Sequence, residues 1–143
     1  MAETVEEATL GALNAKLAAL SFSPVIPVAW QNVKYTPTVG TPYLRPTLLR
    51  ADPAQVTLGP AGYNRHQGFY QVDLFDKIEI GEAVLLKKAS AIVKHFKRGT
   101  VLIRQGFTVR IMRPPAILPI TYENGWSMTP VRVFWTCDAG NPA

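Results

Sequence analysis

The residue pattern predicts an α+β domain, an antiparallel or mixed β-sheet with two helices packed on it and one long hairpin loop. Three observations carry this expectation. Helical periodicity occurs in two separate places, runs of aromatic and β-branched residues stand between and after them, and turn residues gather at the junctions. The chain of 143 residues is 48% apolar, enough for one domain over residues 1–143 with a core of its own.

Thr4 and Glu7 stand at capping-box spacing, and Leu10, Leu13, Leu17 and Leu20 follow at helical intervals, so the first helix is expected from about Thr4 to Leu20. Glu3, Glu6 and Glu7 suit the positive end of its dipole. From Ser21 to Pro42 the prolines at 24, 27, 37 and 42 leave an irregular wrap with at most an edge strand, Val25 to Trp30. Two long strands follow, Tyr43 to Arg50 and Tyr63 to Phe75. The stretch between them, Ala51 to Gly62, holds Pro53, Gly59, Pro60 and Gly62 and reads as a loop of unusual length. Loops of this length serve contacts, so this is the first place to expect an interface.

The second helix is expected from about Ile80 to Arg98. Leu85, Ala89, Ile92 and Phe96 share one face, Lys87, Lys88, Lys94 and Arg98 lie mostly opposite, and Gly99 is a stop. Val101 to Arg104 and Phe107 to Met112 flank Gln105-Gly106 as a tight hairpin, and Trp126 to Thr136 is the last strand after a proline-rich connection, Pro114 to Pro119. From Asp138 onward a loose tail is expected.

Groups that could carry chemistry are few. No apolar stretch approaches a membrane span and the start of the chain is acidic, so neither a membrane segment nor a secretory signal is expected. The single cysteine, Cys137, excludes an internal disulfide and suits a reducing compartment. His66 and His95 read as ordinary surface histidines. Asp73, Asp76, Glu79 and Glu82 recur every three residues, but acids at a helix start complement its dipole and Asp73 alternates onto the polar side of its strand, so no metal site is expected. Gly59, Gly62 and Gly68 precede no lysine-serine or lysine-threonine pair and no helix start that would cradle a phosphate. The expectation is a protein without cofactor, metal or catalytic residues.

Charge is the most unusual feature. The formal net charge is +5, and between Ala83 and Tyr122 there is no acid while Lys87, Lys88, Lys94, Lys97, Arg98, Arg104, Arg110 and Arg113 accumulate. Such a block creates a one-signed surface suited to nucleic-acid phosphates or to an acidic protein face. A solvated helix face with cations near its C-terminus is the plainer reading.

The run Ala29-Trp30-Gln31-Asn32-Val33 through Thr36-Pro37, then Gly40-Thr41-Pro42-Tyr43-Leu44-Arg45 and Thr47-Leu48-Leu49, resembles the N-terminal part of bacteriophage tail-terminator-like proteins. Leu58-Gly59-Pro60, Gly62, Arg65, Gly68, Tyr70-Gln71-Val72 and Phe75 resemble the family's next block, and Trp126 with Pro130-Val131-Arg132-Val133 its last strand. The resemblance implies a virion structural protein. It implies a ring, usually six-fold, at the head-proximal end of a long tail, assembled in the host cytoplasm. Its partners would be further copies of itself, the tail tube protein and a head-completion or stopper protein.

On the residues alone, ring contacts are expected in the long loop, with Leu58 and Tyr63 as apolar anchors and Arg50, Asp52 and Arg65 for polar specificity. Non-specific contact with DNA in a lumen would fall to the basic block. Another head-tail connector, a minor tube component or a basic nucleic-acid-binding module are the competing readings.

Overall fold

Thr4 opens the first helix as its spacing predicts, its hydroxyl accepting from the Glu7 amide at 3.2 Å. In the computed structural model, which describes residues 3–142, this helix, α1, spans Val5–Ala18. Its buried face is Ala8, Thr9, Ala12, Leu13 and Leu17 rather than the leucine row alone. Leu10 borders a groove that Trp30 and Val33 also line. Leu10 points within about 20° of the buried Leu17 around the helix, so it is the open groove above it, rather than a different face, that leaves it exposed.

The second helix, α2, is Glu82–His95, shorter than expected at both ends. Glu79 and Gly81 have positive φ (63° and 85°), so Ile80 lies outside helical geometry. At the far end Phe96 leaves the helix and turns fully inward, and Gly99 donates its amide to Ile111 (2.7 Å), beginning the following hairpin instead of extending α2. The inward face is the expected one, with Leu85, Ala89, Ile92 and Phe96 all buried.

Eight strands form one sheet: β1 (Tyr43–Arg50), β2 (Ala54–Gln55), β3 (Tyr63–Lys77), β4 (Val101–Arg104), β5 (Phe107–Arg110), β6 (Ala116–Ile117), β7 (Thr121–Glu123) and β8 (Trp126–Gly140). Its order is β1-β3-β8-β5-β4, with β2 on β3 and with β6 and β7 on β8, and every pairing is antiparallel. The β4–β5 turn is the expected Gln105-Gly106, both residues at positive φ as a two-residue hairpin requires. β3 and β8 pair along their full 15 residues, from Tyr63 opposite Gly140 to Lys77 opposite Trp126. Asp138 and Ala139, expected in a loose tail, are therefore strand. Their partners Arg65 and Asn64 are already in place on β3, and small or polar residues suffice to continue the ladder.

Alternation sorts the two faces. Tyr70, Val72 and Leu74 of β3 and Val131, Val133 and Trp135 of β8 face the helices and form the core with Leu13, Leu17, Ala89, Ile92 and Phe96. The Tyr70 hydroxyl donates to Asn14 at 2.7 Å, which ties α1 to the sheet centre, and burial pushes the phenol's pKa up. His95, expected at the surface, is half-buried, edge-on to Phe96 at 5.3 Å, with Nε2 against the Lys16 carbonyl where the two helix ends meet. His66 is half-buried as well. The wrap from 21 to 42 touches the ladder by one parallel bridge, Val28 to Leu44, in keeping with its prolines.

Candidate assembly surface

The odd residues of β3 and the even residues of β8 point away from the helices, and no helix among the described residues covers them. Phe69 and Phe134 meet edge to face there (5.7 Å), and Tyr43 stacks on Phe75 (4.6 Å) with Trp126 edge-on (5.4 Å). Three guanidinium groups lie over these rings: Arg113 over Phe134 (4.1 Å), Arg45 over Phe75 (4.8 Å) and Arg132 over Phe69 (5.0 Å). The planar cation is attracted by the ring face, and stacking leaves its N–H edges able to bond in the plane of the guanidinium.

A chain of hydrogen bonds runs across β1, β3 and β8 on this face. Arg45 donates to Asp73 Oδ2 (3.3 Å), Gln71 donates to Asp73 Oδ1 (3.0 Å), and Arg132 donates twice to Gln71 Oε1 (3.3 and 3.1 Å). Asp73 does lie on the side of β3 away from the core, yet it is only 3% exposed, covered by the groups it binds. Asp76 points to the opposite face and receives Lys88 at 2.5 Å. Asp73 and Asp76 thus point apart, and no cluster of three metal-ligating side chains occurs among the described residues.

The register places Arg45, Arg65, Lys77, Arg110, Arg113 and Arg132 on the helix-free side, against Asp73, Glu123 and Asp138. Asp73 and Asp138 are each engaged by an arginine, so the outward field of this face is positive.

The long loop is more ordered than its composition suggests. β2 sits inside it, and a compact tip follows in which Thr57 Oγ1 accepts from the Tyr63 amide (2.7 Å) and Gly62 donates to Gly59 (3.1 Å). Asn141 clamps the tip from the C-terminal side, donating to Gly62 (2.9 Å) and to Pro60 (2.8 Å). Leu58 stands 91% exposed and Tyr63 55%, so neither folds back into its own core. Asp52 is exposed with no ion pair among the described residues. Arg50 is used internally: it donates to the Glu6 carbonyl (2.6 Å) and lies over Trp135 (5.6 Å), and desolvation holds its pKa below the usual value. Arg65 forks onto both oxygens of Asp138 (2.8 and 3.2 Å), and that hydrogen bonding lowers the aspartate's pKa.

The basic block does not form one surface. Arg104 is bidentate to Glu3 (2.9 and 2.8 Å) and Lys88 is taken by Asp76. Arg110 and Arg113 belong to the helix-free face, and Lys87, Lys94, Lys97 and Arg98 remain exposed on and just beyond α2. A gap in local acids was the signal for a one-signed patch, and acids from distant parts of the chain fill part of it. Nothing in the local spacing of Arg45, Phe69, Gln71, Arg132 and Phe134 joins them. The period-two alternation in Tyr63–Lys77 and Trp126–Gly140 is the signal that assigns them to one face.

Comparison with known proteins agrees with this architecture. The model of a family described as phage tail terminator protein matches residues 9–135. A solved structure with 23% sequence identity superposes with a TM-score of 0.77, covering 94% of this chain and 96% of that one, which shows a shared fold. No curated protein matches the chain.

Proposed function

Because the chain belongs to the phage tail terminator family, we propose that it is the subunit of a ring, six-fold in our reading, at the head-proximal end of a phage tail. A structural part of the phage tail, and so of the virion, follows from the family itself. The finer reading is that the ring ends polymerisation of the tail tube and offers the surface on which a head-completion or stopper protein joins. The carrying observation is the family match over nearly the whole chain. The subunit's form is compatible with it: a rigid sheet presents an ordered tip with exposed Leu58 and Tyr63 beside the free carboxylate of Asp52. Such side chains supply contact energy and polar specificity where neighbours repeat around an axis. We read the role as structural rather than catalytic, without cofactor or metal, with assembly in the host cytoplasm.

DNA is proposed as a passing, non-specific contact. The positive helix-free face and the exposed Lys87, Lys94, Lys97 and Arg98 favour a phosphate backbone without reading sequence.

The decisive experiment is the solution mass of the purified chain over a concentration series, alone and with tail-tube protein, followed by imaging. Closed rings, or rings capping tube ends, are the expected result. Rings inserted along tubes or bound to the portal side alone would favour a connector or minor tube component. A persistent monomer that ignores tubes and binds DNA with a steep loss of affinity in salt would overturn the ring in favour of a nucleic-acid module.

A further inference from the structure

The two lateral edges of the sheet are defended unequally. Along β1 the edge is blunted: Pro46 has no amide to offer, Gln31 donates to its carbonyl (3.0 Å), and Pro27 and Ala29 bond to both polar groups of Leu44. Further along the same lane, beyond Arg50, this protection ends. The exposed residues 51–56 continue as β2 and the start of the tip, with Val56 46% exposed. On the opposite side β4 bonds only to β5 among the described residues, and it has no proline or lysine. Its outward side chains are instead apolar, Ile103 at 75% and Val101 at 47% exposure. β4 is short, yet the residues it turns outward are β-branched, in water and neither proline nor charged, which suits it to pairing with another chain.

The register sets these two edges at one height. Val101 pairs with Arg110, Arg110 with Thr136 and Thr136 with Gln67, whose carbonyl accepts the Ala51 amide (2.9 Å). One row therefore runs from Ala51, next to the exposed acid Asp52, to Val101, next to the exposed base Arg110. Two residues further along, Ala54 opposite Arg65 and Ile103 opposite Thr108 hold the two edges, and both side chains point to the helix-free side. Through the antiparallel pairings β2 and β4 run in the same direction, so a neighbour displaced sideways brings one edge to the other in parallel.

We propose that neighbouring copies of this chain join head to tail by this contact, β4 of one against β2 and the tip of the next, with the exposed base Arg110 beside one edge and the exposed acid Asp52 at the other bringing opposite charges to the junction. The two patches differ, so the contact is heterologous and repeats from copy to copy, as closing a ring requires. The inference rests on the ring reading and gives it residues. Pairing two short strands supplies few hydrogen bonds, so most of the association comes from burying apolar side chains, chiefly Ile103 beside Ala54 and Val56.

The test compares wild type, Ile103→Lys and the double variant Ala54→Cys with Ile103→Cys in the full chain, at concentrations and with tubes under which wild type assembles. Because Ile103 is mostly in water, Ile103→Lys is expected to keep its melting temperature while association weakens on the order of tenfold or more. The double variant is expected to give, on mild oxidation, a ladder of covalently linked copies. Cys137 is buried and its thiol pKa is raised by burial, which keeps it out of the reaction. An Ile103→Lys protein that assembles like wild type, or an assembling double variant without a ladder, overturns this junction while leaving the ring intact. Wild type that stays monomeric even with tubes overturns both.

Discussion

Replacing Phe96 by alanine is expected to destabilise the subunit by about 3–5 kcal/mol, the usual cost of removing a fully buried aromatic ring. Phe96 is 0% exposed and stands where α2 ends, its ring 5.8 Å from Tyr70 and 5.3 Å from His95. The ring joins the helix end to the centre of β3, and the cavity left by alanine would open between two elements already fixed elsewhere, α2 by Ile92 and Tyr70 by Asn14. Partial collapse cannot refill it, so the cost stays near the full value. For a chain of this size the melting temperature should fall by roughly 10 °C or more. An unchanged melting temperature would show that the ring is not the wedge between helix and sheet.

Gly68→Ala is the second large effect. A β-carbon on Gly68 would lie 2.0 Å from the Leu49 carbonyl oxygen and 3.0 Å from the Arg50 α-carbon, both of them backbone. A flexible side chain can move aside from an added methyl. A paired strand moves only by giving up its ladder, and Gly68 faces Arg50 where β1 ends and the chain turns toward β2. The expected loss is about 3 kcal/mol, the upper part of the range for overpacking. Thermal unfolding measures it directly, and protection from hydrogen exchange of the Ala51 amide, which bonds to the Gln67 carbonyl beside this contact (2.9 Å), should fall beyond the rest of the sheet. A variant as stable as wild type would mean that the β1 end can move away freely.

The contrast between these two residues shows what could be read from the chain. Phe96 belongs to a row of large apolar side chains at helical spacing, so its burial and its face follow from local periodicity. Gly68 carries no local mark, because its role depends on how closely β1 approaches. The same divide runs through the fold. α2 has a wide apolar face and was legible. α1 binds through Ala8, Thr9 and Ala12 as well as Leu13 and Leu17, and the leucine spacing alone does not show that Leu10 is left in the open. The last residues of β8 are small or polar, and their strand form is imposed by a partner that begins at Tyr63.

Charge divides likewise. An acid-free interval is visible in one dimension, but Glu3, Asp76 and Asp138 reach it only in three. Arg132 above Phe69 and Arg45 above Phe75 needed the register before they could be seen as one face. The loop was legible as a place and less so as a conformation. Its glycines and prolines signal a turn, while the clamp by Asn141 comes from the other end of the chain.

The full-length pairing of β3 with β8 also decides how the subunit bears force. A pull along the strand axis loads 15 paired residues side by side in shear, so many ladder bonds must yield together. A pull across that axis peels instead, and it begins where pairing is shortest, at two-residue ladders such as those of β2 on β3 and of β6 on β8. A particle that stretches or twists its tail would thus strain this subunit least when tension follows β3 and β8, and its first damage under a sideways load would be the loss of those short strands while β3 and β8 stay paired.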